Sequence, residues 1–170
     1  LKLVAGLRNE YTRTKLTGQR VEPTASGNQL MDSEIENNYN ALLPMLHLKY
    51  KLNERANLRT AYTRTFVRPN FGDMAPGTSI DVSTTPATIS QGNPELKPTY
   101  SSNFDLMGEY FFQNVGIITG GLFYKDISDV IFTDISMQAI DGKDYRISQA
   151  KNLNKAKLFG LEFGINRRFD

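Results

Sequence analysis

The sequence predicts an all-β protein built as an antiparallel meander of about six strands. Three observations support this fold class. Six segments alternate polar and apolar residues at period two, no helical spacing fits any of them as well, and long and short connections alternate between them. The expected strands cover, in order, about residues 1–14, 40–52, 56–68, 99–113, 116–127 and 155–169.

The alternation gives every strand one apolar and one polar face. In the first three strands the apolar positions are, in turn, Leu1, Leu3, Ala5, Leu7 and Tyr11; Leu42, Leu46, Leu48, Tyr50 and Leu52; and Leu58, Tyr62 and Phe66. In the last three they are Phe104, Leu106, Gly108, Tyr110 and Phe112; Ile118, Leu122 and Tyr124; and Phe159, Leu161, Phe163, Ile165 and Phe169. One charged residue, Arg64, falls on the apolar side. The polar faces mix both signs of charge, which suits a filled lumen and a solvated sheet face equally well.

The connections indicate how the strands are arranged. Long stretches at about 15–38, 69–98 and 128–154 alternate with a three-residue link at 53–55 and a tight turn at 113–116. In an antiparallel meander all the long loops then lie at one end. Transmembrane barrels show this polarity, and strands of ~9–13 residues are long enough to cross a bilayer at a tilt. The stretch at 128–154 is expected to form a hairpin around Asp141-Gly142.

Aromatic residues near both strand ends agree with two interfacial girdles, as in a membrane barrel. They are Tyr50, Tyr110, Phe112, Phe163 and Phe169 near the short turns, and Tyr11, Phe66 and Tyr124 near the long loops. The alternative is a soluble β-sandwich, in which the same residues form a water-excluded core. The pattern alone leaves both architectures open.

Composition excludes several classes of function. The 170 residues carry a net charge of +2, which argues against a nucleic-acid surface. There is no cysteine, and His47 is the single histidine, so thiol catalysis and multi-histidine metal sites are excluded. Asp126, Asp129 and Asp134 lack EF-hand spacing and are expected to be solvated loop charges. No nucleophile-elbow or phosphate-loop motif is present. We therefore expect no catalytic residue, no metal site, no cofactor and no enzymatic activity.

The chain is expected to be a piece of a larger protein. It starts without methionine, inside a segment that already alternates like a strand. It also contains no run of ~18 apolar residues, so no transmembrane helix is expected. Its last residues, 167–170, resemble the lower end of an internal strand.

Several segments resemble the barrel of TonB-dependent outer-membrane receptors, in the order and spacing of that family. They are Tyr39-Asn40-Ala41-Leu42-Leu43-Pro44, residues 58–71, Gly92-Asn93-Pro94-Glu95-Leu96-Lys97-Pro98-Thr99, residues 121–127 and Gly160-Leu161-Glu162. The resemblance extends over essentially all 170 residues.

The resemblance implies that the six strands are a segment of a 22-stranded transmembrane barrel in the outer membrane of a Gram-negative bacterium. It also implies energised uptake of a scarce nutrient: an iron-siderophore, haem, cobalamin or an oligosaccharide. The plug domain that closes such barrels is not recognised in this chain, and the TonB complex would be contacted through the missing N-terminal part of the parent protein. Outer-membrane lipid and a small-molecule or oligosaccharide substrate are the other expected partners, whereas nucleic acid is not. A soluble β-sandwich adhesin or glycan-binding module is the alternative.

The residues of these family motifs are expected to shape the junctions between loops and strands. Proline after Arg68 removes a ladder donor and restricts the residue before it, which suits a strand end. The stretch from Gly92 to Pro98 combines a flexible residue, a turn former and two fixed φ angles, which would stiffen the end of the loop. The full set is Arg68, Pro69, Gly92, Asn93, Pro94, Lys97, Pro98, Gly160 and Glu162. Which residues bind substrate is unknown from the sequence.

Overall fold

The structure, a computed structural model, describes residues 1–24, 27–112 and 116–167, with the backbone alone at 20–24 and 27–30. Within these residues eight strands form one sheet, and a four-residue helix, α1 (Phe71–Met74), lies in the loop after the third strand. The strands are β1 (Lys2–Thr24), β2 (Gly27–Lys51), β3 (Ala56–Val67), β4 (Thr78–Asp81), β5 (Ala87–Gln91), β6 (Thr99–Phe112), β7 (Gly116–Ile140) and β8 (Lys143–Asn166). The predicted all-β class is confirmed.

The sheet is an open antiparallel meander with a small addition at one edge. Its order is β1-β2-β3-β6-β7-β8-β5-β4, so the six long strands are neighbours in chain order, as the sequence predicts. Strands β4 and β5 come from the long connection between β3 and β6. They fold back so that β5 pairs in parallel with residues 145–149 of β8. This long connection therefore covers part of the β8 edge.

Two of the three predicted loops are in fact extensions of the strands. Strand β1 was expected to end near residue 14 but continues to Thr24, and β2 begins at Gly27 rather than near residue 40. Likewise β7 continues to Ile140 and β8 begins at Lys143. The turn between them has positive φ at Asp141 (52°) and Gly142 (74°), as a hairpin turn of this length requires. The ladder continues through polar residues because its backbone hydrogen bonds do not depend on apolar side chains.

The other expected strand ends can be compared with the structure only where they fall on described residues. Strands β3 and β6 agree with the expected bounds to within one residue. The last strand ends at Asn166, short of the expected 169, although residues 168–170 are outside the described part of the chain. The tight turn expected at 113–116 also lies outside it, apart from Gly116.

One face of the sheet is apolar in register across four strands. Thr60, Leu106, Leu122 and Leu161 form one cross-strand row, and Tyr62, Phe104, Tyr124 and Phe159 form the row beside it. The ring centroids of Tyr62 and Phe104 are 4.9 Å apart, and those of Phe104 and Tyr124 are 6.2 Å apart. The apolar face therefore has a continuous aromatic band.

This apolar face is uncovered in the described part of the chain. Leu46 is 45% exposed, Leu106 40% and Phe163 75%, and no second sheet packs on them among the described residues. A β-sandwich would bury all three. Strand β3 has 12 residues, which corresponds to about 40 Å of strand, or about 28 Å of bilayer at a tilt near 45°. The shortest wall strand thus matches the thickness of a hydrocarbon core.

Arg64, the charged residue on the apolar side, lies near the end of β3 that leads into the long connection to β6. Its guanidinium carbon is 5.0 Å from the centre of the Tyr100 ring, a cation–π distance. It is three residues from the end of β3. No helix in the described residues has the length and apolar character needed to span a bilayer.

Candidate functional site

The connection from β3 to β6 is held between the two long hairpins, and this arrangement forms the candidate site. Its hydrophobic centre contains Leu16 of β1, Met74 of α1, Leu96 and Ala150 of β8, with Ile131 of β7 packed against them. Each of the first four is at most 9% exposed, in a sheet whose long apolar residues are otherwise largely open. The loop is therefore packed against both hairpins rather than extended into solvent.

Asn93 organises the turn through which the loop returns to the sheet. Its side-chain Oδ1 accepts a hydrogen bond from the Glu95 backbone N–H at 3.1 Å, and its Nδ2 donates to the Ala150 carbonyl at 2.9 Å. Its own backbone N–H donates to the Asp73 carbonyl at 2.7 Å. One side chain thus closes a turn and also joins the loop to β8.

Gly92 lies where the loop backbone passes very close to itself. A Cβ atom at this position would be 1.8 Å from the Ala75 carbonyl oxygen, so no larger residue fits without a backbone shift. The Gln149 side-chain Nε2 donates to the Gly92 carbonyl at 3.2 Å. The missing side chain is what allows this approach.

Asn152 of β8 holds the end of the loop. Its Oδ1 accepts from the Lys97 backbone N–H at 2.9 Å, and its Nδ2 donates to the carbonyls of Lys97 at 3.0 Å and Asp129 at 2.8 Å. On the opposite side, the Asn37 side chain of β2 donates to the Pro94 carbonyl. Lys97 and Pro98 therefore enter β6 from a position set by amides on both hairpins.

Arg68 holds the start of the same loop. Its Nη2 is 2.6 Å from the Glu10 Oε2 atom on β1, and its guanidinium lies 4.7 Å from the centre of the Phe66 ring. The β2–β3 ladder ends at the Met45–Thr63 pair, next to Pro44, which has no N–H to donate. Arg68 thus links β3 to β1 beyond the point where the β2–β3 ladder ends. Pro69, which follows it, is buried.

The other predicted motif residues lie apart from this loop. Gly160 and Glu162 are on the polar face of β8, opposite Phe123 and Gly121 of β7. A Cβ at Gly160 would be 2.2 Å from the Phe123 ring, so the ring occupies the space above the glycine. Gly160 is ten residues from Ala150, about 33 Å along the strand. The motif residues therefore form two groups, one at the loop and one in the wall.

A cavity of about 480 Å³ opens between the loop and the β7–β8 hairpin. It is lined by hydroxyl and amide side chains, one carboxylate and glycine backbone: Thr78, Ser79, Ser90, Gln91, Thr133, Ser148, Gln149, Asp73, Gly72, Gly77 and Gly92, with Ala75 and Ala150. Such a lining offers hydrogen bonds without positive charge. In the part of the chain that the structure describes, no group of three or more His, Cys, Asp or Glu residues could hold a metal ion.

Ion pairs join the two strands of the first hairpin. Lys15 Nζ lies 2.7 Å from Glu34 Oε1, and Arg13 Nη2 lies 2.6 Å from Glu36 Oε1. The hydrogen bond to Glu34 raises the pKa of Lys15. In the loop, hydrogen bonds from the Ser83 hydroxyl and backbone N–H lower the pKa of Asp81. These groups are exposed, so their contribution to stability is small and decreases with salt.

Replacing Asn152 with alanine is expected to loosen the end of the loop. The change removes two hydrogen bonds to the exposed backbone of Lys97 and one to the partly buried carbonyl of Asp129, and a typical hydrogen bond contributes about 0.5–1.5 kcal/mol. Hydrogen exchange at the Lys97 amide should therefore accelerate by about 10-fold or more. Asn154→Ala is the matched control, since no hydrogen bond of its side chain is found among the described residues. Equal exchange at Lys97 in both variants would contradict the assignment.

The partners of the loop were not recognised in the sequence. Asn37, Gln149 and Asn152 lie in stretches expected to be loops, and no local pattern links Glu10 to Arg68, 58 residues further along the chain. The signal that could have identified them is the asparagines at 37 and 152, because asparagine is depleted in strands and its presence there suggests that the side chain has a specific partner.

Several solved structures share this fold. The haemophore receptor HasR of Serratia marcescens, solved as a double mutant with its haemophore HasA and haem, matches with a TM-score of 0.74 and 17% identity over 98% of this chain and 29% of that chain. The siderophore receptor PirA of Pseudomonas aeruginosa matches with a TM-score of 0.64 and 17% identity. The match covers 95% of this chain and 31% of that chain. A mutant of the ferric enterobactin receptor PfeA from the same organism, in complex with enterobactin, matches with a TM-score of 0.61 and 22% identity. The match covers 90% of this chain and 24% of that chain. The chain spans less than a third of the length of these structures.

The remaining comparisons concern sequence. No curated protein matches the chain. A family model described as TonB-dependent receptor-like β-barrel matches residues 1–170, the whole of the sequence. The open meander, the uncovered apolar face and the large connections at one end are the features expected of a piece of such a wall. The chain belongs to the TonB-dependent receptor-like β-barrel family.

Proposed function

We propose that the parent protein is an outer-membrane receptor that imports a scarce nutrient, using energy delivered through the TonB complex. The family match over the whole chain supports this, and TonB-dependent receptors are transporters rather than enzymes. The TonB contact would be made by a part of the parent protein outside these 170 residues. The chain itself supplies six neighbouring strands of the barrel wall and one large outer loop.

The observation that carries the proposal is the uncovered apolar face. Its aromatic row is in register across β3, β6, β7 and β8, its leucine row is in register across β6, β7 and β8, and both are largely open to the surroundings. Exposed apolar area of this extent would drive association in water, whereas it is the expected outer surface of a barrel in lipid. The opposite face would then line the lumen.

The structural neighbours support iron chelates or haem as the substrate. HasR was solved with haem and PfeA with enterobactin, and PirA is described as a siderophore receptor. We propose that the present protein imports a substrate of this class, with cobalamin and oligosaccharides as the alternatives. The loop at 68–98, fixed between two hairpins, would form part of the outer binding surface. Its fixed ends would reduce the entropy lost when it orders around a ligand.

Fractionation tests the location. The parent protein should stay with the outer membrane through salt and carbonate washes and should be released by detergent. Recovery in the aqueous fraction without detergent would contradict the proposal and favour a soluble adhesin or glycan-binding module.

Growth tests the transport function. A strain lacking the parent gene should lose growth on one iron chelate or on haem as the iron source, and the gene should restore it only when TonB is present. Unchanged growth on iron chelates with loss of growth on cobalamin or an oligosaccharide would assign the substrate to that class instead. Restoration without TonB would contradict energised uptake.

A further inference from the structure

We propose that the cavity between the loop at 68–98 and the β7–β8 hairpin binds an uncharged ferric chelate of the hydroxamate type and disfavours negatively charged chelates. The volume of this cavity, about 480 Å³, is within the range of about 300–1,000 Å³ that is usual for ligand pockets. The inference rests on the proposed function, because it selects one class among the iron chelates that the receptor would import.

A row of three serine residues borders this cavity. Ser79 of β4 pairs with Ser90 of β5, and Ser90 pairs with Ser148 of β8. Neighbouring strands lie about 4.7–4.9 Å apart, so the three hydroxyl groups follow one another at similar intervals on one face of the sheet. Alternation along β8 puts Ser148 on the same face as Glu162, which is the polar face. In a closed barrel this serine row therefore faces the lumen.

The polar groups that border the cavity are available to a ligand. Within the part of the chain that the structure describes, no hydrogen bond is found for six of these side chains: Thr78, Ser79, Ser90, Gln91, Thr133 and Ser148. A hydroxyl group both donates and accepts, and a glutamine amide does the same. The cavity can therefore bind the carbonyl oxygens and the N–H groups of an amide-rich ligand.

The charges around the cavity disfavour an anion. Among the described residues that border it, Asp73 is the one charged residue, and none is Lys, Arg or His. The loop residues 69–98 include three acidic residues and one basic residue. Arg146 lies two residues from Ser148 on the same face, but it does not border the cavity. An anionic ligand would thus approach a carboxylate with no adjacent cation to compensate it.

This distribution of charge separates the two main classes of iron chelate. Three catecholates give a ferric complex with three negative charges, whereas three hydroxamates give a ferric complex with none. The hydroxamate complex also presents the carbonyl and amide groups that hydroxyl side chains bind. The catecholate complex would lose its hydration at a site that offers no cation in return.

The residues that border the cavity fit haem and sugars less well. Among those that the structure describes there is neither His nor Tyr, which hold haem iron in many proteins. None of them has an aromatic ring on which a sugar ring could stack. Hydroxyl and amide groups without an aromatic surface favour a ligand that is recognised through hydrogen bonds alone.

Binding of two chelates by the full-length receptor tests the inference. The purified receptor in detergent is titrated with ferrichrome, an uncharged ferric trihydroxamate, and separately with ferric enterobactin, a ferric tricatecholate. We expect ferrichrome to bind more tightly by about 10-fold or more, because the carboxylate repels the anionic complex alone.

Lysine substitutions in the serine row test where the chelate binds. Ser148→Lys removes a hydroxyl group, fills part of the cavity and adds a cation. It should weaken ferrichrome binding by about 10-fold and strengthen binding of ferric enterobactin. Ser79→Lys, on the short strand β4 at the edge of the sheet, repeats the test outside the long wall strands. Ser136→Lys is the matched control, because Ser136 is opposite Ile147, on the other face of the same hairpin. It should change neither affinity.

Three results would overturn the inference. One is a receptor that does not bind ferrichrome or that binds ferric enterobactin more tightly. Another is equal ferrichrome affinity in the unmodified receptor, Ser148→Lys and Ser79→Lys, which would place the chelate elsewhere. The third is binding of cobalamin or a maltooligosaccharide with neither chelate bound. All three leave the proposed function intact in a receptor that needs detergent for extraction and TonB for uptake. Extraction without detergent, or uptake without TonB, would refute the proposed function itself.

Discussion

Replacing Leu106 with arginine is expected to destabilise the inserted protein by about 2–4 kcal/mol, the cost of a cationic side chain at the bilayer midplane. Leu106 lies in the middle of β6 (Thr99–Phe112), between Thr60 and Leu122 of the neighbouring strands on the apolar face. Leu161, in the same cross-strand row, should respond in the same way. The measurement is the free energy of unfolding of the full-length receptor in lipid vesicles, from its denaturant midpoint.

The control uses the next residue along the same strand. Glu162 follows Leu161 but points to the opposite face, so Glu162→Arg introduces the same side chain without placing it in lipid. We expect it to change the free energy of unfolding by less than about 1 kcal/mol, as for a surface substitution. Full tolerance of arginine at both Leu106 and Leu161 would contradict the outward assignment of this face.

Replacing Gly92 with alanine is expected to displace the outer loop. The added Cβ would lie 1.8 Å from the Ala75 carbonyl oxygen, and the atom it meets belongs to the backbone, which cannot rotate away as a side chain does. Overpacking of this kind costs about 1–3 kcal/mol. The contacts of Asn93 with Ala150 and Asp73 should weaken together, because they depend on the same turn. Limited proteolysis of intact cells should then cut the loop at 68–98 several-fold faster.

Gly77→Ala is the matched control for this change. Gly77 lies in the same loop, but a Cβ there would meet nothing within 4 Å. Its proteolysis rate should equal that of the unmodified protein. If Gly92→Ala and Gly77→Ala were cut at the same rate, the close approach at Gly92 would not determine the loop structure.

The sequence predicts the regularly alternating part of the sheet better than the part beyond it. Bounds expected for β3 and β6 are correct to within one residue, because polar and apolar residues alternate along most of these strands. Strand β1 continues ten residues past its expected end at residue 14, through residues that do not alternate between polar and apolar side chains. Alternation is not required there, so polar stretches such as 15–38 resemble loops.

In the candidate site, too, the local turn can be predicted from the sequence, whereas its contacts with distant residues cannot. The pattern Gly92-Asn93-Pro94 predicts a stiff turn, since its conformational preferences are local. Its partners Ala150 and Asn152 lie 57 and 55 residues along the chain from Asn93 and Lys97, and no local pattern links them. The parallel pairing of β5 with β8 is equally non-local. Arg64 is a further example, because the alternation places it on the apolar side but does not identify its partner there, the ring of Tyr100 on β6.

Spin labels on the two faces test the central claim most directly, which is that the apolar face contacts hydrocarbon. These 170 residues contain no cysteine, so single cysteines at Leu46, Leu106 and Phe163 can carry labels once any cysteine elsewhere in the parent protein is replaced. In membranes, we predict that these three labels collide readily with oxygen and rarely with a water-soluble nickel complex. Labels at His47 and Glu162, on the polar face, should show much lower oxygen accessibility. Labels at Leu46, Leu106 and Phe163 that are immobilised and shielded from both reagents would show a core sealed between two sheets and would contradict the account.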